Sequence, residues 1–264
     1  MTAVEFFSAT DTGRARSNNE DSVGLDAANA LAVLADGMGG YNAGEVASNM
    51  ATSFIKAELG RWLQEAGGSA TDADVRRAMD ICVDNANRAI FNAANANPHY
   101  AGMGTTLVVA VFRDARLLIG HVGDSRAYRL RNGRLAQLTR DHSLLQEQLD
   151  AGLITHEQAS LSANKNLVTR AVGVEDTVLL ETHIHEVAPG DLIVMCSDGL
   201  SDMIDETTVA DTILATPNDL ESATRALIDA ANDAGGKDNI AVVLARVPGP
   251  LTTAPRSWWP PFRR

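Results

Sequence analysis

TTLVVAVFRDARLLIGHVGDSRAYRLRNGRLAQ, residues 105–137, is the stretch on which the fold turns. Three apolar runs, Thr105 to Phe112, Leu117 to His121 and Arg126 to Leu130, follow one another across short connections, and Asn132-Gly133 then marks a hairpin. A parallel crossover needs a dozen or more residues, so these strands must pair antiparallel. Upstream, short strands are expected at Val4 to Ser8, Ser22 to Leu25 and Leu31 to Ala35. From Ala43 the period changes: Val46, Met50 and Phe54, with Ala47, Ala51, Ile55, Leu59 and Trp62, recur at helical spacing up to Gly67-Gly68. A second helix opens at Thr71, a suitable N-cap, and carries Val75, Met79, Cys82, Ala86 and Ile90 towards Pro98.

Downstream, residues 141–169 are polar and poor in large apolar side chains, which suits a solvent-facing flap with two short helices, bounded at about 141–170. Strand patterns return at Val178 to Val187, Leu192 to Cys196 and Asn239 to Val247, with helices at Thr208 to Leu214 and Leu220 to Asp233. Strands grouped with hairpins and helices inserted as a pair predict an α+β fold, two antiparallel sheets packed together with helices outside. A single domain is expected over residues 1–247. The tail, 248–264, is rich in proline and carries Trp258, Trp259 and terminal arginines. It reads either as a docking segment for a partner or as a disordered or folded-back end.

The chain has 34 acidic against 22 basic side chains, a net charge of −12, which argues against a sequence-independent grip on nucleic acid. Cys82 and Cys196 have no nearby cysteine or histidine that would suggest zinc, and they read as buried thiols of a reducing cytoplasm. Neither a basic-apolar leader nor a run of membrane-spanning length is apparent, so a cytoplasmic protein is expected.

Chemistry is carried by a recurring arrangement in which an apolar strand ends in aspartate followed by a glycine or small residue: LAVLADG, LLIGHVGDS and LIVMCSDG. These place Asp36, Asp124 and Asp198 at strand ends. Asp238 lies just before the strand that starts at Ile240, and Glu20 and Asp21 lie ahead of another. One Asp-Gly is a turn signal and nothing more. Several carboxylates at one end of a sheet repel unless cations intervene. Oxygen-only donors favour Mg²⁺ or Mn²⁺ over zinc, and a glycine after the ligand, Gly37, lets a backbone carbonyl join.

The segments Arg16-Ser17-Asn18-Asn19-Glu20-Asp21, Asp36-Gly37-Met38-Gly39-Gly40, Gly102-Met103-Gly104-Thr105-Thr106, Gly123-Asp124-Ser125-Arg126, Cys196-Ser197-Asp198-Gly199-Leu200 and Gly236-Lys237-Asp238-Asn239 together resemble the metal-dependent protein phosphatases, the type 2C serine/threonine phosphatases, in their bacterial branch. The resemblance implies a four-layer α-β-β-α sandwich and a water shared between two Mn²⁺ or Mg²⁺ ions that hydrolyses phosphoserine and phosphothreonine monoesters in proteins, reversing a bacterial Ser/Thr kinase. It implies that Asp36 bridges the two ions, Gly37 offers its carbonyl, Asp198 and Asp238 hold one ion, and Glu20 with Asp21 serve the other side. Asp124, with Asp198, matches a third, weaker metal site. Arg16 matches the phosphate-binding arginine, with Arg14 as the alternative register. Phosphorylated proteins are the implied partners, including a kinase and its targets, and a monomer is expected.

The chain departs from the family pattern at two places. Met38 stands where eukaryotic members have a histidine, and Tyr41 where many bacterial members have one. Tyr41 is assigned to substrate contact, with packing beside the glycine turn as the alternative. His142 is expected at the surface or as a cap, and His121, His183 and His185 in packed or solvated roles. A two-metal phosphodiesterase and a non-catalytic phosphoprotein-binding module are the competing readings; the acidity opposes the first, and the full carboxylate set the second.

Overall fold

The computed structural model describes residues 4–40, 43–160 and 167–248. Tyr41, part of the flap and the tail after Pro248 lie outside the described residues. One sheet runs in the order β1 (Glu5–Asp11), β11 (Ile240–Arg246), β10 (Leu192–Cys196), β7 (Arg126–Arg131), β8 (Arg134–Gln137). The other runs β2 (Asp21–Asp26), β3 (Leu31–Met38), β5 (Leu107–Arg113), β6 (Arg116–Val122), β9 (Glu181–Glu186), with the two-residue β4 (Gly104–Thr105) beside the end of β3. Every pairing is antiparallel. The β7–β8 turn is made by Asn132 and Gly133 at φ 53° and 72°, the left-handed pair that a tight hairpin of this hand requires.

Strand periodicity explains the layering. Leu107, Val109 and Val111 of β5 face α1 (Ala43–Ala66) and α2 (Asp72–Ala96), whereas Val108, Ala110 and Phe112 face the opposite sheet. On the other side, Val194, Val242 and Leu244 pack under α6 (Glu206–Ala215) and α7 (Leu220–Asp233), while Ile193, Met195 and Val243 point into the seam between sheets. Two helix pairs therefore sandwich two sheets, the α+β four-layer arrangement. Thr71 caps α2 in a reciprocal box, its hydroxyl accepting from the Asp74 amide at 3.2 Å and its own amide donating to the Asp74 carboxylate at 2.8 Å. Both cysteines are buried and unpaired, and burial pushes their thiols up to about 11 for Cys82 and about 12 for Cys196, so neither is a ready nucleophile.

The structure corrects several boundaries. Asp36 is not at a strand end, because β3 continues through Gly37 and Met38, which change partner and pair with Thr105 and Gly104. That same change splits the expected 105–112 strand at Thr106. Among the described residues the flap holds two short helices, α3 (Leu144–Asp150) and α4 (His156–Ser160). His142 is neither a surface residue nor a cap: its side chain is only 6% exposed, because it is packed beneath the β6–β7 turn.

Candidate active site

The ends of both sheets open into one cleft of about 450 Å³. Its wall includes Arg16, Glu20, Asp36, Gly37, Asp124, Asp198 and Asp238, together with Met38, Thr106 and the flap residues Leu167 and Val168. Asp21 sits beneath, buried as the cross-strand partner of Asp36. Arg14 does not line the cleft; its backbone amide instead donates to the Gly236 carbonyl.

Each carboxylate is placed by a different element. Asp36 lies in β3, Asp124 in the turn after β6, Asp198 at the start of the short helix α5 (Asp198–Ser201), and Asp238 just before β11. Gly37 has no room for a side chain: a Cβ there would lie 2.1 Å from the Gly44 carbonyl oxygen and 2.7 Å from that of Glu20. Only glycine lets the first turn of α1 close on β3 at this point.

A framework of hydroxyls and amides holds the acids. The Asp36 amide donates to Thr106 Oγ1 at 3.0 Å, and the Asp36 carbonyl accepts from the Thr105 hydroxyl and the Thr106 amide, both at 2.8 Å. Thr106 Oγ1 is in turn 2.7 Å from Ser125 Oγ, beside Asp124. Ser197 Oγ donates to Asp21 Oδ2 at 2.8 Å while accepting the Ala241 amide at 2.8 Å. Asn239 Oδ1 accepts the Glu20 amide, and its Nδ2 donates to the carbonyls of Thr12 and Asn18. These positioning residues lie inside the quoted motifs, yet nothing in a hydroxyl's sequence position tells which carboxylate it will hold.

Electrostatically the cluster is under stress. Burial, reinforced by the neighbouring carboxylates, raises Asp21 to about 7, Asp198 to about 8 and Asp124 to about 6, and lifts Asp36 well above its ordinary range. Burial also raises Glu20. Arg16, half exposed, donates to Asp238 Oδ2 at 2.7 Å; that hydrogen bond raises the guanidinium pKa. Asp21 Oδ1 is buried and has no hydrogen-bond partner among the described residues, and its neighbour Asp36, once ionised, has no proton to give. An orphaned carboxylate oxygen among desolvated acids is the donor set that hard divalent cations fit.

The sequence Asp141-His142-Ser143 diverges rather than forming a catalytic cluster. Asp141 grips Arg126 through both oxygens, His142 turns inward, and Ser143 Oγ accepts the Gln146 amide to cap α3. His121 is fully buried, while His183 is half-buried.

The family model of protein phosphatase 2C matches residues 12–245. The chain belongs to the protein phosphatase 2C family. The serine/threonine phosphatase stp of Listeria welshimeri is 38% identical over 238 residues, 89% of this chain and 92% of that protein. The serine/threonine protein phosphatase PstP of Mycobacterium tuberculosis is 40% identical over 247 residues, 92% of this chain but 45% of its own length. The crystal structure of the M. tuberculosis phosphatase PstP/Ppp superposes with a TM-score of 0.84 at 35% identity, covering 93% of this chain and 99% of that one. The PstP catalytic domain in complex with two manganese ions superposes at 0.80, with 36% identity and the same coverage. This type 2C chain is therefore a metal-dependent protein serine/threonine phosphatase.

Proposed function

We propose that the cleft is the phosphatase centre and that its residues divide as follows. Asp36, the Gly37 carbonyl, Asp198 and Asp238, with Glu20 and Asp21 on the far side, hold two Mn²⁺ or Mg²⁺ ions, and Asp124 with Asp198 serves a third, weaker position. When bound, such a pair of cations lowers the pKa of coordinated water towards neutrality and offsets phosphoryl charge. The chain's own part is geometric and electrostatic. Ser197, Thr106 and Asn239 fix the acids in place before substrate arrives. Arg16, at the lip, presents a planar guanidinium to the phosphate oxygens and orients the ester. No cysteine or histidine lines the cleft among the described residues, in keeping with direct hydrolysis rather than a phosphorylated enzyme.

The observation that carries this reading is the convergence of carboxylates from both sheets beneath one arginine. The test is phosphate release from a phosphothreonine peptide with Mn²⁺, then with excess chelator, beside Asp198→Asn. Release confined to the metal-loaded wild type supports the reading, and release unaffected by chelator rejects it. Hydrolysis of the bis ester of para-nitrophenyl phosphate in place of the monoester would instead favour a phosphodiesterase.

Substrate choice belongs to the flap. A second groove of about 410 Å³ shares Met38 and Val168 with the cleft and runs past Arg170, Val174 and Leu179. Val174 and Leu179 are 48% and 72% exposed, apolar surface continuous with the phosphate site. This groove receives residues flanking the phosphoamino acid. The substrates proposed are proteins phosphorylated by a bacterial Ser/Thr kinase, the kinase included. One domain through residue 247 carries the activity, as a cytoplasmic monomer with no nucleic-acid partner; the acidic charge and the unpaired buried cysteines support that setting.

A further inference from the structure

Behind the cleft lies a group the mechanism does not use: His121, His142 and Glu181, whose candidate donor atoms all lie within 4.8 Å of one another. The grouping invites a cation, but its geometry speaks for a different role. The two imidazoles are stacked, with centroids 4.7 Å apart and planes 17° apart, so their in-plane lone pairs run side by side instead of converging on one point. Both nitrogens of His142 are also committed. Nδ1 accepts the Gly123 amide at 3.1 Å, which leaves the ring proton on Nε2, and Nε2 donates to Glu181 Oε2 at 3.0 Å. His121 donates from Nε2 to the Arg140 carbonyl at 2.8 Å.

His142 holds more than its ring contacts. Its backbone amide donates to the Gly123 carbonyl at 2.9 Å, so both polar backbone groups of Gly123 are satisfied by one residue. Gly123 has φ +100° and packs against Thr106, where a Cβ would lie 2.8 Å from the threonine side chain. It immediately precedes Asp124. On the other side, the His142 carbonyl accepts the Thr169 amide at 2.8 Å, and Leu144 donates to Leu167 at 2.9 Å, which ties the outgoing and returning ends of the flap together. Leu167 and Val168 of that returning end line the catalytic cleft.

We propose that His142 is a positioning residue: a clamp that fixes the left-handed Gly123 turn, thereby presents Asp124 to the cleft, and sets the returning end of the flap in register with it. Glu181 anchors the ring from behind. The clamp itself rests on geometry alone; its link to cation binding rests on the reading of Asp124 as a ligand. The two are separated by measuring first without metal or substrate.

The experiment is hydrogen exchange at the Gly123 amide in the metal-free full chain, followed by Mn²⁺ titration by calorimetry, for His142→Gln and His142→Asn. An asparagine Oδ1 reaches the position of Nδ1 and can still accept from Gly123; a glutamine at this site cannot keep that bond without shifting. His142→Gln is expected to speed exchange at Gly123 and weaken the weakest Mn²⁺ class by about tenfold, the scale of one lost buried hydrogen bond. His142→Asn keeps an acceptor for the Gly123 amide but loses the Glu181 anchor, and is expected to restore both in part. Equal, wild-type-like protection in the two variants would overturn the clamp. Faster exchange with unchanged Mn²⁺ affinity would overturn the link to Asp124 while leaving the phosphatase reading intact. Should His142→Gln fail to fold, Glu181→Leu removes the rear anchor together with the Glu181 bond to His183, and His183→Ala serves as the control for the latter: Gly123 exchange faster than in His183→Ala supports the clamp, and exchange no faster rejects it.

Discussion

Arg16 Nη2 donates to Asp238 Oδ2 at 2.7 Å, joining the segment after β1 to the residue that introduces β11. The guanidinium is thus parked over the carboxylates, where, on the proposed role, an incoming phosphate would compete for the same N–H donors. Arg16→Ala should lower kcat/KM on a phosphothreonine peptide about ten- to a hundredfold, the worth of one or two charge-assisted hydrogen bonds, with little change in Mn²⁺ affinity. Steady-state kinetics beside calorimetry check this, and an unchanged kcat/KM would reject the assignment.

Asp36→Asn removes one charge from a crowded set while keeping the shape of the side chain. Turnover and high-affinity Mn²⁺ binding should both be lost. The metal-free variant should nonetheless melt no lower than metal-free wild type, because the charge removed is one that burial and its neighbours oppose. Thermal melts in chelator test the point; a markedly lower Tm would mean that Asp36 is a structural residue.

The raised acids also set a pH dependence. Asp21, Asp124 and Asp198 have folded pKa values of about 7, 6 and 8, above an ordinary value of 3.8. A group raised on folding contributes stability fully below its unfolded pKa and loses it as pH climbs through the folded one. The metal-free protein should therefore lose stability between about pH 4 and pH 8, and Mn²⁺ should restore it most at the alkaline end. Denaturant melts across that range check the sign, and a stability that rises with pH in chelator would refute it.

Thr106→Val keeps the shape of a buried residue but strips the acceptor from the Asp36 amide and the partner from Ser125. A loss of about 1–3 kcal/mol is expected in urea unfolding, the penalty for stranding buried polar groups. Turnover should fall with it, because the same hydroxyl aligns Asp36.

Replacing Val174 and Leu179 together with serine should spare para-nitrophenyl phosphate hydrolysis and lower kcat/KM on phosphopeptides that carry an apolar residue beside the phosphothreonine. Equal effects on both substrates would show that the groove shapes the active site and does not select peptides.

Much of this was legible in the sequence for physical reasons that can be named. The continuous apolar runs of β5, β10 and β11, the Thr71 cap and the Asn132-Gly133 turn are local signals, and local chemistry decides them. The carboxylates were legible because each sits beside a glycine or close to a strand end, although β3 itself runs on through Asp36 and Gly37. His142 was misread because its burial depends on Gly123 and Glu181, 19 residues before it and 39 after. No periodicity reports such a meeting. The strand that passes through Asp36 was cut short for the same reason, since its last two residues are held by β4, which arrives after two long helices.

The acids of the cleft do not belong to one sheet. Asp21 and Asp36 ride on the β2–β3 hairpin, while Asp198 and Asp238 flank β10 and β11 across the seam. On the proposed ligand set each half of the sandwich carries an incomplete cage, and a cation's coordination shell would become a gauge of the spacing between the sheets. Leu34, Val108, Met195 and Val243, the apolar contents of that seam, would on that assignment set cation affinity without touching a cation. A change in side-chain volume there, well away from any ligand, would be felt at the phosphorus atom as a change in the distance between two half-sites.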